Sequence, residues 1–230
     1  MRIVFVGPSL PDASDFAGRD VEIRPPARQG DVMRAIQGGA TAVGLIDGLF
    51  EFVAPVWHKE LLFALSQGLP VLGAASMGAL RAAECAAFGM IGVGRIFDDY
   101  MSGRRVDDAD VALLHGPVEL GYPAVTVPMV NVDATMTQAG ALELLCDERC
   151  DTVRSKARTI FFKERSWKRI AEVADIGWIV LGPIVEQART DQKRRDALEL
   201  LTIIADVPLA GPPPGGWNLN TTPVWRTMYP

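Results

Sequence analysis

The chain has 230 residues, 49% of them hydrophobic and 22% charged, with a net charge of −5. Those proportions suit one substantial globular core, or a core with a smaller appendage, and carry no basic signature for nucleic acid. No apolar run approaches the roughly 18 residues of a membrane span, and three cysteines, an odd number, argue against a disulfide framework and suit a reducing cytoplasm.

RIVFV (2–6) is a continuous apolar run, as expected of a strand buried on both faces. It stops at Gly7-Pro8 and is too short for a signal peptide. VEIR (21–24) is a second short strand. DVMRAIQGG (31–39) reads as a helix, with Asp31 as N-cap and the glycine pair as its stop. AVGLID (42–47) is a third strand. PVWHKELLFALSQG (55–68) opens with Pro at a first helical position and closes on Gly. LPVLGA (69–74) is a fourth strand and MGALRAAECAAFG (77–89) the helix after it. This alternation predicts an α/β fold, with a mostly parallel sheet and flanking helices in the N-terminal half. Ligands then collect beyond the carboxyl ends of the strands, at Gly7-Pro8-Ser9, Asp47-Gly48 and Ala75-Ser76.

The second half changes character. DDADVALLHG (107–116) reads as a short helix, and VTVPMVNV (125–132) as extended, with Pro128 confining it to an edge or loop. From Thr135 to Ala205 the pattern is mainly helical, interrupted by IGWIVLGPIV (176–185). The tail is rich in Pro, Gly and Asn and reads as irregular, with Trp217 and Trp225 docking parts of it. The expected organisation is an α/β core over 1–135, a mainly helical region over 136–210 and an irregular tail over 211–230. There is no phosphate loop and no G-x-G-x-x-G, so no cofactor is expected. Cys146 and Cys150, four apart, lack companions at metal-site spacing, so no metal is expected either.

In GAASMGALRAAE (73–84), Ser76 stands between a strand and a helix. Serine is a preferred N-cap, but position 79 is Ala, so there is no capping box. A serine at such a turn could also act as a nucleophile, with the N–H groups of Met77 and Gly78 available to an oxyanion. Its base could be Lys59, which shares a helix face with Val56 and Phe63; a lysine on an apolar face either lays its stem there or loses basicity by burial. Asp47 reads equally as an Asx turn with Gly48 and as an acid orienting a catalytic partner. Arg81 and Glu84 form either a surface ion pair or a grip for a substrate carboxyl group, and Ser9 sits at the same sheet edge. Residues 149–169 hold eight basic residues against Asp151 and Glu164, read either as a solvated face or as a docking surface.

Taken together, VFVGPSL (4–10), LIDGLFE (45–51), VWHKELLFALSQG (56–68), GAASMGALRAAE (73–84), FGMIGVGRIF (88–97) and DDADVALLHGP (107–117) resemble the TfuA family. The resemblance spans about residues 1–135. PMVNVDAT (128–135) is similar to a family stretch that often has Arg where Asp133 stands. The resemblance implies a cytoplasmic accessory protein that works beside a YcaO enzyme in peptide backbone thioamidation. It further implies hydrolysis of a thiocarboxylated carrier protein of the ThiS type to supply sulfide, through a Ser–Lys pair matched here by Ser76 and Lys59, with Lys193 in reserve. Neutral lysine would take the Ser76 proton, Ser76 would attack the thiocarboxylate carbonyl, and water would release the carrier. The basic segment, with Arg154, Arg158, Lys163, Arg165 and Trp167, would dock a protein partner. Two other classes stay open: a non-catalytic adaptor for a YcaO enzyme, and an acyl or thioester hydrolase of small molecules.

Overall fold

A computed structural model describes residues 1–208, 211 and 215–229. Five strands, β1 (Arg2–Phe5), β2 (Val21–Arg24), β3 (Ala42–Leu45), β4 (Val71–Ala74) and β5 (Ile91–Val93), form one sheet in the order β2-β1-β3-β4-β5. Every pairing is parallel. The chain steps outward from β1 to β2, then crosses back to β3 and continues to β4 and β5. The direction of travel therefore reverses between β1 and β3, which makes their carboxyl ends the switch point of a doubly wound sheet.

Helices α1 (Asp31–Gln37), α2 (His58–Ser66) and α3 (Met77–Cys85) occupy the crossovers to β3, β4 and β5. These three crossovers run the same way across the sheet, so right-handed connections put all three helices on one face. There Val32, Ala35, Leu61, Ala64, Met77 and Ala82 pack against Ile3, Phe5, Val43, Leu45 and Val71. The alternate strand residues Val4, Val6, Ala42, Ile46, Leu72 and Ala74 face the other way. Only a three-residue 3-10 turn, Ala13–Asp15, links β1 to β2, which leaves that second face without a crossover helix. Helix α9 (Gln192–Asp206) covers it through Ala197, Leu200, Leu201 and Ile204. A Cβ added at Gly44 would meet Leu200 at 2.9 Å and Ile204 at 3.1 Å, so the small residue in β3 sets how closely α9 approaches.

The remaining helices are α4 (Gly94–Met101), α5 (Met129–Ala141), α6 (Asp147–Arg158), α7 (Trp167–Val173), α8 (Trp178–Ala188) and α10 (Pro223–Met228). Helices α5 to α8 share their own apolar cluster, built on Met129, Met136, Val153, Ile170 and Leu181. The helical region over 136–210 is thus divided in its packing: α6 to α8 belong to this bundle, whereas α9 belongs to the sheet.

Several stretches differ from the sequence expectation: Gly30 rather than Asp31 is the N-cap of α1, and α2 begins at His58 with Trp57 as N-cap rather than at Pro55. Residues 107–116 contain only a 3-10 turn at Asp108–Asp110, after which the chain runs on to an isolated bridge between His115 and Ala124. MVNV at 129–132 is the first turn of α5, with Pro128 as its N-cap, because Met129, Val132, Met136 and Ala139 recur at helical spacing and are all fully buried. The apolar stretch at 176–185 continues as α8, with Pro183 inside it. In the tail, Pro212–Pro214 lie outside the described residues. Trp217 packs on Phe88 and Trp225 on Phe63, and the last segment forms α10. Among the described residues no helix is long and apolar enough to cross a membrane.

Candidate functional site

The carboxyl ends of β1, β3 and β4 converge with the first turn of α9. The Asp47 carboxylate is 3% exposed and accepts from the N–H groups of Gly7 and Ser9, both at 2.9 Å, and from Ser9 Oγ at 2.6 Å. It thereby ties the loop after β1 to the end of β3 across the switch point. Ser9, expected to meet a substrate, is buried and spends its hydroxyl on this tie.

Ser76 occupies the N-cap position of α3, yet its side chain makes no capping hydrogen bond. The preceding Ala75 has φ +66°, and Ser76 N–H reaches back to Ala74 C=O at 2.7 Å, a tight γ-turn. Strain of this kind is costly for alanine and is held by the surrounding packing. The helix that follows is pressed onto β3 and β4. A Cβ at Gly78 would lie 1.7 Å from Leu45 C=O, and one at Gly73 would lie 2.1 Å from Gly78 C=O. Gly78 N–H donates to Ile46 C=O at 3.1 Å. The expected pair of oxyanion donors therefore reduces to Met77, whose N–H has no acceptor among the described residues. Gly78 serves close packing.

Lys193 is 2% exposed in the first turn of α9. Its Nζ donates to Val111 C=O at 3.0 Å and stands 3.9 Å from Asp47 Oδ1. Burial pushes its ammonium below the usual lysine range, with Asp47 and Asp191 acting in the opposite sense. The positive end of α9 adds to the penalty on a charged lysine there.

Ser76, Asp47 and Lys193 line one cavity of about 30 Å³, together with Pro8, Val111 and His115. Lys59 does not line it. Its Nζ donates to Thr222 Oγ1 at 3.1 Å and lies 6.0 Å from the centre of the Trp225 ring, on the face of α2 that the tail covers. Arg81 and Glu84 also lie elsewhere: Arg81 pairs with Glu84 at 2.7 Å, and the same carboxylate oxygen meets His58 Nε2 at 2.7 Å. This cluster joins α2 to α3.

The basic segment is less available than its composition implies. Arg165 is buried, and its guanidinium donates to Ala157 C=O at 3.1 Å and Ile160 C=O at 3.2 Å, closing the end of α6. Arg158 and Arg105 hold Asp110 and Asp133 in an ionic network. Arg154 pairs with Asp151 at 2.7 Å, and Trp167 packs against the bundle core. Lys163 pairs with Glu51 at 2.8 Å among the rings of Phe52, Phe161 and Phe162.

His115, one of the chain's two histidines, stands in no recognisable triad order in the sequence, yet it lines this cavity. Its Nδ1 lies 2.7 Å from Gly116 C=O and its ring stands edge-on to Tyr122. By sequence Lys193 is only the reserve lysine of the family resemblance; in the structure it stands in the first turn of α9, where its charge opposes the helix dipole. Among the described residues no group of three His, Cys, Asp or Glu could hold a metal ion. Cys85 is buried, its thiol pushed up to about 11.

Fold and site thus define a doubly wound α/β protein whose polar cluster sits at the switch point, beneath a strained turn. Residues 47–166, just over half of the chain, match the family described as TfuA-like protein, and the chain belongs to that family. The match begins at Asp47 and includes Ser76; Lys193 lies beyond it. No curated protein matches the chain.

Proposed function

We propose that this protein serves YcaO-dependent peptide thioamidation by hydrolysing a thiocarboxylated ThiS-type carrier, with Ser76 as nucleophile and Lys193 as its base. Family membership supports the role. One observation carries the chemistry: the uncapped Ser76 hydroxyl and a buried lysine of lowered basicity line the same small cavity.

Lysine must be neutral to accept a proton, and burial moves it toward that state. Lys193 takes the Ser76 proton as Oγ attacks the thiocarboxylate carbonyl. Met77 N–H, at the positive end of α3, steadies the oxyanion. The C–S bond breaks, the proton passes from Lys193 to sulfur, and hydrosulfide leaves. Water, deprotonated by Lys193, then cleaves the acyl-serine, returning a carboxylate and a free hydroxyl. The balance is thiocarboxylate plus water to carboxylate, hydrosulfide and a proton. Asp47 stabilises the protonated lysine between the two transfers and fixes the loop that walls the cavity.

The test is hydrosulfide release from a thiocarboxylated carrier by wild type, Ser76→Ala and Lys193→Met, each checked for folding by circular dichroism. Loss of about a hundredfold or more in both variants is expected, the range of general-base and nucleophile deletions. Wild-type rates in Lys193→Met would remove Lys193 as base and turn attention to His115. A wild-type protein that binds a YcaO enzyme yet releases no hydrosulfide would be an adaptor.

A further inference from the structure

Beside the Ser76 cavity runs a larger groove of about 260 Å³, lined by Phe50, Phe52, Leu113, His115 and Phe162. The two share Gly48, Phe50, Leu113 and His115, so they adjoin. Phe52 is 89% exposed, an extent that a large aromatic side chain seldom shows in an isolated protein.

One wall of the groove has an unused backbone edge. Leu114 C=O accepts from Val125 N–H at 2.8 Å, Leu114 N–H donates to Thr126 Oγ1 at 2.8 Å, and Gly116 N–H donates to Pro123 C=O at 2.8 Å. In extended backbone, alternate residues point their polar groups to opposite edges. Leu113 and His115 therefore direct theirs away from the 123–126 segment. Neither residue's N–H nor C=O has a backbone partner among the described residues, and both residues line the groove. An edge of this kind is a template for an added strand.

We propose that the Leu113–His115 edge and the Phe50–Phe52 wall form a strand-addition site for the extended C-terminal segment of the protein acyl donor. The inference rests on the function proposed above and names how that substrate is held. The shared wall of groove and cavity sets the direction: the donor's end lies toward Ser76 and its preceding residues lie along the edge. The small cavity admits only an end without bulky side chains, such as glycine, while the aromatic wall takes apolar side chains further back. The anionic end faces Lys193, and Lys163, paired with Glu51, stands beside the Phe52 ring of the wall.

The test uses full-length Ser76→Ala protein and a fluorescent decapeptide ending in Gly-Gly carboxylate, with single backbone amides N-methylated in turn. Strand addition predicts an alternating profile by anisotropy: about tenfold weaker binding at two amides set two residues apart, opposite Leu113 C=O and His115 C=O, and little change at the amide between them, since tenfold corresponds to one lost hydrogen bond of roughly 1.4 kcal/mol. Phe50→Ala and Phe52→Ala should each weaken the parent peptide about fivefold or more, a change of order 1 kcal/mol expected of a lost aromatic contact. A uniform profile, absence of saturable binding, or indifference to both phenylalanine variants overturns the proposal. Because the probe is a carboxylate, binding needs no chemistry. An alternating profile without hydrosulfide release from the thiocarboxylate form leaves the groove standing and removes the hydrolase. Hydrosulfide release with a uniform profile does the reverse.

Discussion

Asp196 couples the helix that carries Lys193 to the rest of the α/β unit, and it should make stability depend on pH. Its carboxylate, 1% exposed, accepts from Ile96 N–H at 2.8 Å and from Gln192 Nε2 at 2.6 Å, so it closes the start of α4 from α9. Burial nonetheless outweighs these bonds and pushes the carboxyl up from 3.8 to about 6. Between those two values the folded protein keeps a proton that the unfolded chain has released. Stability contributed by this group therefore falls as pH rises through that window and is flat above it. A rise of about 2 units corresponds to roughly 3 kcal/mol. Asp196→Asn removes the titration while keeping the shape and one acceptor. Urea unfolding of both proteins at several pH values from 4 to 7.5 should show the variant gaining on wild type by about 2.5 kcal/mol across the range. A difference that stays level with pH would refute the reasoning, and would mean that the carboxylate is as comfortable in its pocket as in water.

Gly78→Ala should cost about 3 kcal/mol or more, because the added carbon meets backbone at Leu45 and the Gly78–Ile46 hydrogen bond must break; a wild-type melting temperature would show that α3 seats elsewhere. Lys59→Ala should leave hydrosulfide release within about twofold of wild type while loosening the tail, read by faster proteolysis beyond residue 220, since its contacts are to Thr222 and Trp225. In the native protein a disulfide thiol reagent should label exposed Cys146 quickly and buried Cys85 and Cys150 only on unfolding; rapid reaction of all three would contradict their burial.

β1, β3 and β4 are readable in the sequence because each is an apolar run flanked by turn residues, and the position of Ser76 follows from the strand before it and the helix after it. β5 is three residues long, half exposed and contains a glycine, so it has almost no pattern to read. MVNV satisfies both a two-residue and a helical period, and only the buried residues further along α5 decide between them. Which lysine lies at the Ser76 cavity is illegible in the sequence for a different reason. Lys59 does lie on a partly apolar face of α2, but that face is met by α10 rather than by the Ser76 turn. Nothing local marks Lys193 as buried; its burial is made by Val111 and Asp47, which are distant in sequence.

The place of α9 has a consequence for the order in which the molecule is made. A ribosome delivers the sheet, the strained turn and the helices α1 to α3 well before it delivers the helix that covers the second face. Until then Val4, Ile46 and Leu72 face solvent, and Asp47 has no cation beside it. The lysine and the apolar cover arrive on one segment, so the cavity at the switch point is completed by the same event that closes the core. A shortened chain ending before residue 190 would lose both together.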